Sequence, residues 1–220
     1  MNLFKNIDLN YNSEIDSKQN LENLVFESFQ KNLNFFGEKK FNIKIKFLYQ
    51  RSEMDEICGY KTAKWQVGYA NKNQIYIFSP SVFDQVSDHP KSDFNYVLTH
   101  EMTHLFINEF LGINYPKWLC EGIAGYIAEQ YKIRKVENIN DFSDLHDKEG
   151  WGKFHNYPQA FSFTKHLINK FGKEKILEFL KNLRLNLDNN HSYEEFLDFF
   201  NKFFKTDFKK TTSEWQKKGP

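Results

Sequence analysis

The sequence predicts an α+β protein, with a small N-terminal antiparallel sheet with helices and a mostly helical C-terminal lobe. Three observations predict it. Apolar residues alternate with polar ones over 41–47 and again over 65–78, the period of half-buried strands. From about residue 94 that alternation stops, and apolar residues recur every three or four positions. The chain has 220 residues, 40% of them hydrophobic, enough to bury a core without staples. Sheet first and helices afterwards is the order of an α+β domain.

Each element follows from its local pattern. Residues 1–16 are polar and are expected to be loose. Leu21, Leu24, Val25, Phe29, Leu33 and Phe36 keep helical spacing, and Gly37 is a stop. Phe41, Ile43, Ile45 and Phe47 alternate with Asn42, Lys44 and Lys46 as a strand. Residues 50–60 read as a loop. Trp65, Val67 and Tyr69 alternate, Asn71-Lys72-Asn73 reads as a turn, and Ile75-Tyr76-Ile77-Phe78 completes a hairpin. Residues 80–90 form a connection with a short helical turn.

Ser92 or Asp93 can cap a helix over 94–110, and Pro116 suits the start of another reaching about residue 131. Residues 133–156 are polar and irregular. Helical patterns return at about 158–171, 173–183 and 193–204. Ser192 and Glu195 give the last one a capping box. Its Phe196, Phe199, Phe200, Phe203 and Phe204 form a stripe that reads as core. The chain is expected to be one domain over 1–220, with a sheet-containing lobe at about 17–110 and a helical lobe at about 111–220.

Composition narrows the function classes. Thirty Lys and Arg against 29 Asp and Glu give a formal net charge of +1, which argues against a nucleic-acid partner. Two cysteines, Cys58 and Cys120, are too few for a disulfide framework. No run of 18 apolar residues is present, so no membrane span is expected. The polar start lacks the apolar core of a signal peptide, which makes a cytoplasmic location the expectation. The 24 Phe carry no functional meaning, because A/T-rich coding favours Phe, Ile, Asn and Lys.

One motif carries chemistry. His100-Glu101-Met102-Thr103-His104 is an HExxH sequence, a known zinc-protease signature. At about 100° per residue, His100 and His104 sit about 40° apart on one helix face, so both imidazoles can bind one ion. Glu101 lies about 60° from His104, beside the metal but outside the ligand row, where it can take a proton from a water. A catalytic zinc wants three protein ligands and an open position. Glu121 supplies the third from the next helix, within Pro116-Lys117-Trp118-Leu119-Cys120-Glu121-Gly122-Ile123-Ala124. Gly122 and Gly125 flank it, and small residues there would let the two ligand-bearing helices approach.

HExxH followed by Trp-x-x-Glu-Gly-x-Ala resembles the gluzincins, zinc peptidases of the peptidase MA type. The resemblance spans about 65–215 and implies one zinc ion on His100, His104 and Glu121, with Glu101 as general base. It implies that Gly68, Tyr69 and Ala70 lie on an edge strand that pairs with substrate backbone. It also implies that Tyr157, opening a helix, stabilises the oxyanion; His155 and Tyr126 are the other candidates. Aminopeptidase relatives hold the substrate amine with a glutamate near that strand. This chain has no acidic residue between Glu56 and Asp84, so it is not expected to be an aminopeptidase.

The expected activity is therefore zinc-dependent hydrolysis of peptide bonds through a metal-activated water, with a peptide or protein as partner. A zinc hydrolase of non-peptide amides, or a non-catalytic metal-binding module, are the alternatives. Oligomeric state is not legible. Cys120 reads as a small buried hydrophobe, and Trp215 as packing. His89, His146, His166 and His191 lack ligand spacing and read as ordinary surface residues.

Overall fold

The computed structural model describes residues 6–37, 42–112, 115–146, 151, 156–188 and 190–220. The chain divides into two compact units, Met1–Glu109 and Phe110–Pro220. The class is α+β, with the sheet in the first unit and a helical second unit.

The first unit is built on a four-stranded sheet of order β1-β2-β4-β3. Its strands are β1 (Ile7–Asn10), β2 (Ile43–Leu48), β3 (Gly68–Asn71) and β4 (Gln74–Phe78). The expectation of an antiparallel sheet needs correction: among the described residues only the β3–β4 hairpin is antiparallel, while β1–β2 and β2–β4 are parallel. Parallel neighbours need a long crossover, and helices α1 (Lys18–Phe36) and α2 (Arg51–Cys58) lie in those connections. Both departures come from short elements. Strand β1 has four residues within the segment read as loose. Helix α2, in the stretch read as a loop, begins with a capping box of Gln50 and Glu53 and stops at left-handed Gly59.

The hairpin places β3 at the sheet edge. Gly68 pairs with Ile77 and Ala70 with Ile75, so these four share the apolar face. Tyr69 pairs with Tyr76 on the other face, where the two rings stack at 6.3 Å. After α3 (Phe83–Val86), a short 3-10 turn, Lys91–Asp93, leads directly into α4 (Phe94–Phe110). Phe94, Val97, Leu98, Met102, Leu105, Phe106 and Ile107 of α4 are all buried. Helix α1 packs on it through Phe29 and Phe36 against Phe106, at 5.4 and 5.6 Å. Thr99 Oγ1 also lies within hydrogen-bond distance of Ser28 Oγ of α1, at 3.0 Å.

The second unit contains α5 (Lys117–Ile127), α6 (Asn156–Phe171), α7 (Lys173–Asn186), α8 (Tyr193–Phe204) and α9 (Phe208–Lys217). Helix α5 stops before residue 131, because Glu129 turns into the left-handed region and a 3-10 turn follows. The capping box of Ser192 and Glu195 forms as expected. Only Phe196 and Phe200 of the stripe are fully buried; Phe199, Phe203 and Phe204 are half-buried. The basic tail, unassigned by pattern, is largely helix α9, capped by Asp207. Trp215 packs as expected, against Phe142 and Phe163, and its indole donates to Ser162 at 3.0 Å.

The glycines after Glu121 serve a different contact from the one expected. A Cβ at Gly122 would stand 2.0 Å from Thr164 Oγ1, and one at Gly125 2.0 Å from Phe161 Cδ1. Both therefore seat α5 on α6. Residues 122 and 125 lie on one helix face, so the pair forms a groove for Phe161 and Thr164. Phe161 is buried and has no room to yield. Gly125→Ala should lower stability by about 2 kcal/mol through overpacking, despite the better helix propensity of alanine. Urea denaturation of the two proteins checks this.

Candidate metal centre

Helix α4 carries His100, Glu101 and His104 as its spacing requires. His100 is buried, while Glu101 and His104 are partly exposed. The two imidazoles meet edge to face, with 3.1 Å between their Nε2 atoms. Ligands about 2.1 Å from a tetrahedral zinc are about 3.4 Å apart, so the pair is close to ligand spacing. Thr99 and Thr103 turn their hydroxyls back onto the helix, Thr103 Oγ1 donating to Thr99 O at 2.8 Å.

Strand β3 meets this helix at Glu101. A Cβ at Gly68 would fall 2.6 Å from Glu101 Cγ and 2.8 Å from Oε1. The space is filled by the Glu101 carboxylate arm, so a Cβ at this position would push that arm aside. Ala70 shares the face of Gly68, whereas the Tyr69 side chain points to the opposite face of the sheet.

Glu121 lies on α5 and is buried, at 3% exposure. A carboxylate that deep needs a partner. Lys117, one turn earlier, places its Nζ on Glu121 Oε1. Burial alone would lower the Lys117 pKa, but the charge and hydrogen bond of Glu121 prevail and raise it. The charge of Tyr157 acts on Lys117 in the same direction, so the two lie within electrostatic reach. Tyr157 stands in the first turn of α6, half-buried, with its ring against Trp151 at 5.1 Å. Tyr126 instead stacks on Tyr131 at 5.7 Å. His155 lies outside the described residues. Cys120 is fully buried, and burial pushes its thiol up to about 12.

One donor atom each from His100, His104 and Glu121 lie within 4.8 Å of one another, a group that could hold a metal ion. Two imidazoles and one carboxylate are a donor set suited to zinc, with coordination left for a reactant. Lys117 is the partner of Glu121 that motif reading missed. The signal was available, since Lys and Glu four residues apart on a helix face are neighbours.

The other histidines are not all surface residues. His146, His166 and His191 are buried. His146 and His191 pack around Tyr115, each ring within 4.9 Å of it. His146 Nε2 faces His191 O at 3.2 Å, and the His146 carbonyl accepts from Lys117 N at 3.2 Å. These rings are core, and the last bond secures the first turn of α5. Their apolar setting was invisible because residues 115, 146 and 191 are distant in sequence.

No described helix is long and apolar enough to cross a membrane. Residues 60–197 match the model of a family described as peptidase of plants and bacteria. No curated protein matches the chain.

Proposed function

The chain belongs to the family of peptidases of plants and bacteria, and we propose that it is a zinc-dependent member of gluzincin type that hydrolyses peptide bonds. The observation that carries this reading is the His100, His104 and Glu121 group. Bound there, a zinc ion would supply Lewis acidity, polarising the scissile carbonyl and lowering the pKa of a water.

The chain's own residues do the rest. Glu101 sits beside the ligand row on α4, and as general base it takes the proton of the attacking water and passes it to the leaving amine. Lys117 occupies Oε1 of Glu121, which leaves the other oxygen for the metal. The Tyr157 hydroxyl donates to the oxyanion as charge develops there. Gly68, Tyr69 and Ala70 pair through their main chain with substrate backbone, a mode supported by the edge position of β3. Backbone pairing needs no charge complement, which agrees with a nearly neutral chain. The lack of a carboxylate between Glu56 and Asp84 argues against capture of a free amine.

Elemental analysis should find one zinc in the wild type and none in His100→Ala; full retention in the variant rejects the site. Glu101→Gln should keep its zinc and lose at least about 100-fold in turnover of a peptide cut by the wild type. Undiminished turnover eliminates the base. A zinc-loaded, folded wild type that cuts nothing in a broad peptide mixture would favour a non-peptide amide as substrate. Gly68→Ala should retain zinc while kcat falls about tenfold or more, because the new methyl displaces the Glu101 carboxylate. Steady-state kinetics with metal content measured alongside decide it.

A further inference from the structure

The segment before the edge strand has an unusual hydrogen-bonding pattern. Residues 61–67 form neither helix nor strand, yet the four consecutive carbonyls of residues 63–66 all accept from side chains of other segments. Arg51 Nη1 donates to Ala63 O at 3.1 Å and Gln66 O at 2.6 Å, and Nη2 to Lys64 O at 3.2 Å. His89 Nε2 faces Trp65 O at 3.1 Å. The same guanidinium also donates to Thr62 Oγ1 and to Val86 O, and it lies 4.5 Å from the centroid of the Phe78 ring. Burial lowers the Arg51 pKa, against the nearby charges of Asp55 and Asp88. The other ring nitrogen of His89 faces Asp93 Oδ2 at 3.4 Å, one residue before α4. This one loop is thus tied to the start of α2, to the end of β4 and to the entry of the helix that carries Glu101.

A four-residue strand is marginal without support, and among the described residues β3 pairs with β4 alone. Its first residue, Gly68, must nevertheless hold its place against Glu101. We propose that Arg51 and His89 are positioning residues that grip carbonyls 63–66 and thereby hold β3 where it receives substrate backbone opposite Glu101. The proposal rests on the peptidase reading for its substrate, but not for its mechanics. The planar fork of Arg51 is the part that matters, because its two Nη nitrogens reach separate carbonyls of the loop, whereas lysine keeps the charge on a single nitrogen. His89 grips the remaining carbonyl from the side of α4, so the strand and the catalytic helix share one anchor.

Arg51→Lys and His89→Phe separate this role from simple stabilisation. Native-state hydrogen exchange should show amides 67–71 opening at least about tenfold faster in either variant, while exchange in α1 and α4 is unchanged. This readout needs no activity. Uniformly faster exchange throughout the unit, or unchanged exchange at 67–71, overturns the proposal. If the wild type cuts no peptide, the peptidase reading fails and the exchange result still stands alone. If it does cut, both variants should keep full zinc content, with KM for a peptide long enough to lie along β3 raised about tenfold. A minimal substrate that does not reach the strand should change by less than about threefold. Equal losses on both substrates would overturn the positioning role. His89→Phe keeps the test open if Arg51→Lys fails to fold.

Discussion

The burial of helix α4 is the constraint on which the rest depends. A helix that carries two imidazoles and a carboxylate on one side must be locked by its other sides, or the donors would drift. Phe94, Leu98, Met102, Leu105 and Phe106 are buried around it, with Phe29 and Phe36 of α1 closing on Phe106. Only a short run of polar positions is left for chemistry. On this helix the His100 and His104 side chains, one turn apart, bring their Nε2 atoms to 3.1 Å.

Close packing at glycine recurs at two places, for different reasons. On β3, Gly68 brings a strand against the Glu101 side chain. On α5, Gly122 and Gly125 admit Phe161 and Thr164 of α6, which fixes the helix that carries Glu121. In both cases the missing Cβ is replaced by atoms of another segment. Glu101 and Glu121 are therefore positioned by packing as much as by hydrogen bonds.

Buried charge is managed with equal economy. Glu121 is neutralised by Lys117 from its own helix, so the pair is in place as soon as the helix forms. Arg51 places its guanidinium on backbone carbonyls rather than on one carboxylate, trading a point-charge partner for a geometric grip on a loop. The first arrangement presents a carboxylate, and the second presents a strand edge.

Much was legible from the chain alone, and the physical reason is periodicity. Helices α4, α7 and α8 and the β3–β4 hairpin announced themselves by spacing, as did the HExxH pair, because those contacts lie within one or two turns. Strand β1 and helix α2 did not, since elements of four and eight residues offer too few repeats to stand above a polar background. The sense of the sheet is not legible for a related reason: direction depends on crossovers, and α2, inside one of them, is too short to show a helical period. His146 and His191 looked like surface residues because only the folded chain brings them to Tyr115. The sequence by itself determined the fold class, the candidate donors and the carboxylate proposed as general base. Only the tertiary structure decided that Gly122 and Gly125 serve α6, that Lys117 neutralises Glu121, and that Arg51 and His89 hold the loop before β3. Those contacts depend on packing, burial and side-chain direction, and residue spacing alone does not encode which surface each side chain meets.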